Sequence, residues 1–195
     1  MYLDGKKVDF KGPKDAQAVG IAAIYQHVTA YPDLTVAENI FMGHEIKKNG
    51  MIQWKKMNEE ANKLLEQLDA DFKANAEMGT LSVAQQQMVE IAKALSMKAR
   101  IIIMDEPTAA LTKNESEKLY KIAEKLRDEG ASIIFISHRF EDMYRLATRV
   151  TVFRDSQYIG TYNVDEITNA DLIKAMVGRE IKDLFPKPDV KIGQE

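Results

Sequence analysis

A chain of 195 residues without a single cysteine is long enough for one domain with a real core, and it excludes disulfides and thiolate metal sites. Lysine and arginine number 27 against 30 aspartates and glutamates, and this formal charge of -3 supplies no basic footprint for nucleic acid. No apolar run approaches the roughly 20 residues of a membrane-spanning helix, so work at a membrane would need a partner to hold the chain there.

Taken in order, Tyr2 to Phe10 reads as a hairpin closed by the Asp4-Gly5 turn, with a first arm so short that further sequence is expected upstream. Pro13 to Val19 predicts a short helix stopped by Gly20, and the apolar strand Ile21-Ala22-Ala23-Ile24-Tyr25 then runs out at Gln26. Thr35-Val36-Ala37-Glu38 is a capping box opening a helix that Gly43 closes. From Gly43 to about Gly79 the composition shifts towards Lys, Glu, Asn and Met, which predicts a separate helical lobe. Met57, Ala61, Leu64, Leu65 and Leu68 fall on one face of its helix. Ser82 and Gln85 form a second capping box, and the helix they open carries Met88, Ile91, Ala92 and Leu95 on one side.

The run Ile101-Ile102-Ile103-Met104 leads straight into Asp105 and Glu106. Four consecutive apolar residues predict a strand buried on both faces, as in parallel sheets. The two carboxylates sit at its carboxyl end, where open α/β sheets place ligands, and Pro107 stops the strand. Taken alone, the two acids are read equally well as the exposed tip of a core strand. Thr112 and Glu115 then cap a helix with an apolar face of Leu119, Ile122, Ala123 and Leu126, and a second buried strand, Ser132 to Ile136, ends at Ser137-His138. An amphipathic helix follows through Phe140, Met143, Tyr144 and Ala147. Two strands around Asp155-Ser156 come next, and then a helix capped by Thr168 and Asp171 and ended by Gly178. Arg179 to Glu195 is charged, holds Pro186 and Pro188, and reads as a linker. Strands alternating with helices predict an α/β protein with a mostly parallel sheet.

The order of polar residues at strand ends and helix starts resembles the ATP-binding cassette family of transport ATPases. Gln26 falls at that family's Q-loop, Leu81-Ser82-Val83-Ala84-Gln85 at its signature motif, Ile101 to Glu106 at Walker B, and His138 at the switch histidine. Leu34 to Phe41, Glu106 to Thr112 and Ile136 to Arg139 are more narrowly similar to cassettes of bacterial sugar importers of the ribose and galactose type. Val177-Gly178-Arg179-Glu180 with Phe185-Pro186 is similar to the end of the first of their two cassettes.

The resemblance implies an incomplete P-loop NTPase fold of the RecA-like kind, with a helical signature subdomain inserted in a mostly parallel α/β core. The expected divisions are 1–43 and 100–178 for the ATPase core, 44–99 for the helical subdomain and 179–195 for the linker. The resemblance also implies ATP and Mg²⁺ as cofactors. Asp105 and Gln26 are the expected Mg²⁺ residues, and Glu106, His138 and Gln26 the catalytic ones. Ser82, Val83, Ala84 and Gln85 are expected to meet the ATP of an opposite cassette. Implied partners are membrane permease subunits, a second nucleotide-binding domain and, indirectly, a periplasmic or lipoprotein sugar-binding protein, with the chain peripheral on the cytoplasmic face of the cell membrane. Other readings are a non-catalytic piece docked on a permease, or a soluble cassette ATPase acting on ribosomes or DNA, against which the acidic balance argues.

Three departures stand out. Val83-Ala84 occupies the usual glycine pair, Thr112 stands where many cassettes carry Asp, and no G-x-x-x-x-G-K-[ST] occurs in the 195 residues. In the family that glycine loop lies upstream, so the chain is expected to begin after Walker A and to bind ATP weakly by itself. The loop's strand would adjoin the strand leading to His138, so Ile133, Phe135, Val150 and Val152 are expected to flank uncovered surface.

Overall fold

The computed structural model describes residues 1–26 and 29–178, so the expected linker at 179–195 lies outside the described residues. Two compact units follow one another, Met1–His138 and a second beginning at Arg139.

The first unit opens with a two-stranded hairpin of β1 (Tyr2–Leu3) and β2 (Lys6–Lys7). Asp4 and Gly5 take φ of 49° and 74°, the two positive values that a type I′ turn requires. Next come α1 (Pro13–Ala18), β3 (Ile21–Ile24) and α2 (Val36–Phe41). A second hairpin, β4 (Lys47–Lys48) with β5 (Met51–Ile52), precedes α3 (Trp54–Gln67). The composition of this stretch predicts helix alone; the hairpin forms because Asn49 and Gly50 accept φ of 53° and 79°. The unit continues through α4 (Val83–Ser96), β6 (Ile101–Asp105), α5 (Lys113–Asp128) and β7 (Ser132–Ile136).

Strands β3, β6 and β7 form a parallel sheet in that order. Ile24, Ile102 and Met104 on one sheet face join Ile91 of α4, Leu119 of α5 and Met57, Ala61 and Leu65 of α3 in one continuous cluster. The helical lobe and the sheet therefore share a core. Ile102 and Met104 are wholly buried, and each such side chain contributes about 1.5–3 kcal/mol.

The expectation of burial on both faces is not met. Ile101 and Ile103 are only half-buried, and Ile134 and Ile136 of β7 stay 52% and 48% exposed. The side chains of Ile133 and Phe135 themselves pack against the core, while the strand that carries them pairs on one edge alone among the described residues. The strand period of two divides these side chains between faces, and the core covers only the face holding Ile102, Ile133 and Phe135.

The second unit holds α6 (Phe140–Leu146), β8 (Arg149–Arg154), β9 (Gln157–Asn163) and α7 (Asn169–Val177). Strands β8 and β9 pair antiparallel around Asp155 and Ser156, both at positive φ. Val152, Ile167 and Leu172 form its core with Phe140, Met143 and Val150 around them, so Val150 and Val152 are also packed. Thr168 caps α7, and Gly178 ends it at φ 81°.

Candidate functional site

Parallel pairing brings three chain segments to one end of the sheet. Met104 lies between Ile24 and Phe135. Gln26 follows Ile24 by two residues, Glu106 follows Met104 by two, and His138 follows Phe135 by three. All three therefore leave the carboxyl ends of their strands on the same side, where open sheets bind ligands.

Asp105 is the last residue of β6 and pairs with Ile136. Glu106 extends that pairing, its N–H donating to the Ile136 carbonyl at 2.9 Å, and then turns the chain sharply at φ 47°. The left-handed region costs a residue with a Cβ about 1–2 kcal/mol. What holds the turn is the Ala109 N–H donating to the Glu106 carbonyl at 3.1 Å, with Pro107 and Thr108 buried beneath. The Glu106 side chain is thus aimed by its backbone.

His138 meets that side chain directly. Its Nδ1 lies 2.8 Å from Glu106 Oε1 and 2.7 Å from Oε2, so one ring nitrogen donates between both oxygens. The side chains are 69% and 23% exposed, and exposed ion pairs add little to stability. The contact orients two groups rather than holding the fold.

Gln26 stands exposed at the same sheet end, with no hydrogen bond to Asp105, Glu106 or His138 among the described residues. Residues 31–35 are fixed by Asn39, a residue that sequence reasoning missed. Asn39 is 5% exposed; its Nδ2 donates to the carbonyls of Tyr31, Leu34 and Thr35, and its Oδ1 accepts from the Tyr31 N–H. A polar residue among the buried Val36, Ala37, Ile40 and Phe41 of α2 was the available signal.

Ser82, Val83, Ala84 and Gln85 sit together at the start of α4. Ser82 Oγ accepts from the Gln85 N–H at 3.3 Å, Gln85 Oε1 accepts from the Ser82 N–H at 2.9 Å, and Gln85 Nε2 donates to Asp71 Oδ1 at 2.9 Å. The Gln85 amide is therefore spent on the fold, whereas Ser82 and Val83 remain exposed. No hydrogen bond or ion pair joins this turn to Asp105, Glu106 or His138 among the described residues.

No cluster of three or more His, Asp or Glu is poised around a metal among the described residues. Mg²⁺ sites commonly use one or two carboxylates together with substrate phosphates and water. The adjacent Asp105 and Glu106 fit that kind of site.

Residues 1–109 match the family model described as ABC transporter. Over 195 residues the chain is 46% identical to ribose import ATP-binding protein RbsA 2 of Escherichia coli O157:H7, covering 100% of this chain and 38% of that protein. It is 47% identical to ribose import ATP-binding protein RbsA of Clostridium perfringens (strain SM101 / Type A), covering 99% of this chain and 39% of that one. The chain thus spans less than two-fifths of these relatives. Among solved structures, the ADP conformation of an ATP-binding cassette of an ABC transporter is similar with a TM-score of 0.76 at 23% identity, covering 91% of this chain and 76% of that one. A nucleotide-free cassette is similar with a TM-score of 0.72, also at 23% identity, covering 91% and 72%. At such identities the likeness concerns the fold. With its family model matched over more than half its length, the chain belongs to the ABC transporter family.

Proposed function

We propose that this chain carries the hydrolytic side of the nucleotide site of a bacterial ABC sugar importer, with Glu106 as the base and His138 as the residue that orients it. The observation that carries this reading is the His138 Nδ1 held 2.7–2.8 Å from both oxygens of a carboxylate at a parallel strand end. The ribose-import names of the relatives support the sugar. Permease subunits, a second cassette and, indirectly, a sugar-binding protein are the partners of this reading, with the chain on the cytoplasmic face of the membrane.

Mg-ATP fits the residues present in part. Asp105 offers a hard oxygen at the strand end, and the exposed first turn of α4 has N–H groups without intrahelical partners beside Ser82, the arrangement that suits an anion. The 195 residues contain no glycine-rich phosphate loop, so the main cradle is not among these parts. Bound Mg-ATP supplies the phosphoryl group and the cation that neutralises it. Asp105 would hold the cation through its oxygen or an intervening water, and Gln26 would complete that shell. Glu106 would accept the proton of an attacking water. His138, donating to both Glu106 oxygens, would keep the carboxylate from rotating away. Positioning of this kind is the protein's main lever in phosphoryl transfer.

The test joins this chain to the glycine-loop segment of the Escherichia coli relative and measures nucleotide binding and phosphate release. The joined protein should bind Mg-ATP and turn it over, while Glu106→Gln keeps binding and loses about 100-fold or more in rate. Full turnover in Glu106→Gln would place the base elsewhere.

A further inference from the structure

Between Lys47 and Asn58 the chain holds four lysines and no acidic residue, although acids outnumber bases by 30 to 27 over its whole length. The fold gathers these lysines into one surface. In the β4–β5 hairpin Lys48 pairs with Met51 and Lys47 with Ile52, and Ile52 packs against the core. Strand alternation therefore turns Lys48 and Met51 away from the core together. The Gln53 N–H donates to the Ile46 carbonyl at 2.8 Å, which ties the base of the hairpin to the start of α3. Trp54 opens that helix, and Lys55 and Lys56 point away from the side on which Met57, Ala61 and Leu65 are buried.

Neither the charge nor the apolar surface serves the fold here. Lys48, Lys55 and Lys56 are exposed and make no hydrogen bond or salt bridge among the described residues, and Lys47 reaches only Glu45, at 3.2 Å. Two lysines in a first turn oppose the helix dipole, which favours acids there. Gln53 gives that turn no side-chain cap, whereas α2, α4 and α5 each open on a capping box. Beside the lysines, Met51 is 68% exposed and Trp54 50%.

Free positive charge around exposed apolar side chains complements the surface of an anionic bilayer. Lysine ammonium groups reach lipid phosphates while their methylene stems lie along apolar surface, and tryptophan settles at the depth of the headgroups. A nucleic-acid backbone would meet the lysines but leave Met51 without a partner. Among the described residues no helix is long and apolar enough to cross a membrane, so the contact is with the surface. We propose that the β4–β5 hairpin and the first turn of α3 dock on anionic lipid headgroups, with Lys47, Lys48, Lys55 and Lys56 on the phosphates and Met51 and Trp54 entering the interface. None of these residues belongs to the proposed nucleotide site, so this contact stands or falls separately from that reading.

Trp54 is the chain's only tryptophan, so its fluorescence reports this surface alone. The experiment titrates the full chain with vesicles of equal parts phosphatidylglycerol and phosphatidylcholine, and uses pure phosphatidylcholine vesicles, glycerol phosphate and a DNA duplex as matched probes. The mixed vesicles should shift Trp54 emission to the blue and shield it from acrylamide, and the other three should leave it unchanged. Binding should fade in about 1 M salt, where charge is screened within about 3 Å. Lys55→Gln with Lys56→Gln should weaken vesicle binding about 25-fold, at about fivefold for each lysine. Lys113→Gln with Lys121→Gln removes the same charge from exposed positions of α5 and should leave binding within about twofold. Trp54→Ser, followed by vesicle flotation, should bind about tenfold more weakly. Self-association alone does not make the chain float. Four results would each overturn the proposal: Trp54 emission unmoved by the mixed vesicles, equal binding to phosphatidylcholine, equal losses in the two lysine pairs, or a response to the duplex as strong as that to the vesicles, which would assign the lysines to nucleic acid. Should Trp54→Ser fail to fold, the exposed lysine pairs still decide.

Discussion

Asn39 spends its whole amide on Tyr31, Leu34 and Thr35, just before and at the start of α2, accepting once and donating to three carbonyls. Asn39→Ala leaves the Tyr31 N–H without its partner, while the carbonyls of Tyr31, Leu34 and Thr35 each keep a backbone donor, so a loss of about 1–3 kcal/mol is expected from denaturant unfolding. Amide exchange should rise first at Tyr31 to Thr35. Glu90 on α4 is a second residue whose cost is electrostatic. Burial raises its pKa above the ordinary 4.5, and nearby Lys93 only partly offsets this. A carboxyl raised on folding contributes stability below about pH 4.5 that is lost as pH rises through its folded value. Glu90→Gln is therefore expected to raise the melting temperature at pH 7.5 and to show no gain below pH 4.5, measured by thermal scans across that range. Asn39 is legible only as a polar residue among the apolar ones of α2, and Glu90 not at all, because both effects depend on what packs around a helix face. The same holds for His138 and Glu106. Each was legible as a polar residue following an apolar strand, but their contact spans 32 positions and exists only through the β6–β7 register.

Elements were far more legible, since their signals are local. Thr35/Glu38, Ser82/Gln85 and Thr112/Glu115 each form the reciprocal capping box that three-residue spacing predicts. At α5, Glu115 has its pKa lowered first by the Thr112 hydroxyl and then by the Thr112 N–H. Thr112→Ala should cost about 1 kcal/mol in denaturant unfolding and speed amide exchange in the first turn of α5. The β4–β5 hairpin escaped the sequence reading for a different reason. Averaging composition over 43–79 blurred Asn49-Gly50, a two-residue turn signal as strong as the Asp4-Gly5 turn that was recognised. An unbroken apolar run shows that both faces of a strand are apolar, but not that both are covered.

That gap has its consequence for the whole molecule. On the sheet face opposite the core, Ile101 and Ile103 lie half-buried beside Ile134 and Ile136, which are 52% and 48% exposed. Among the described residues β7 pairs with β6 alone, so its other edge also presents backbone donors and acceptors. An apolar face beside an open strand edge is a template for pairing with another chain. Self-association of the purified chain at micromolar concentration is therefore expected, and it should run through β7. Ile134→Lys places a charge in the middle of that face, a device natural edges use against aggregation. Because Ile134 is half-exposed and outside the core cluster, the change should alter unfolding free energy by less than about 0.5 kcal/mol. Ile133→Lys, on the covered face, should instead unfold the unit. Light scattering after size exclusion should find the parent chain associated and Ile134→Lys monomeric. A parent chain that is monomeric at about 100 µM, with β7 amides as protected as those of β6, would mean that this face and edge do not recruit a second copy.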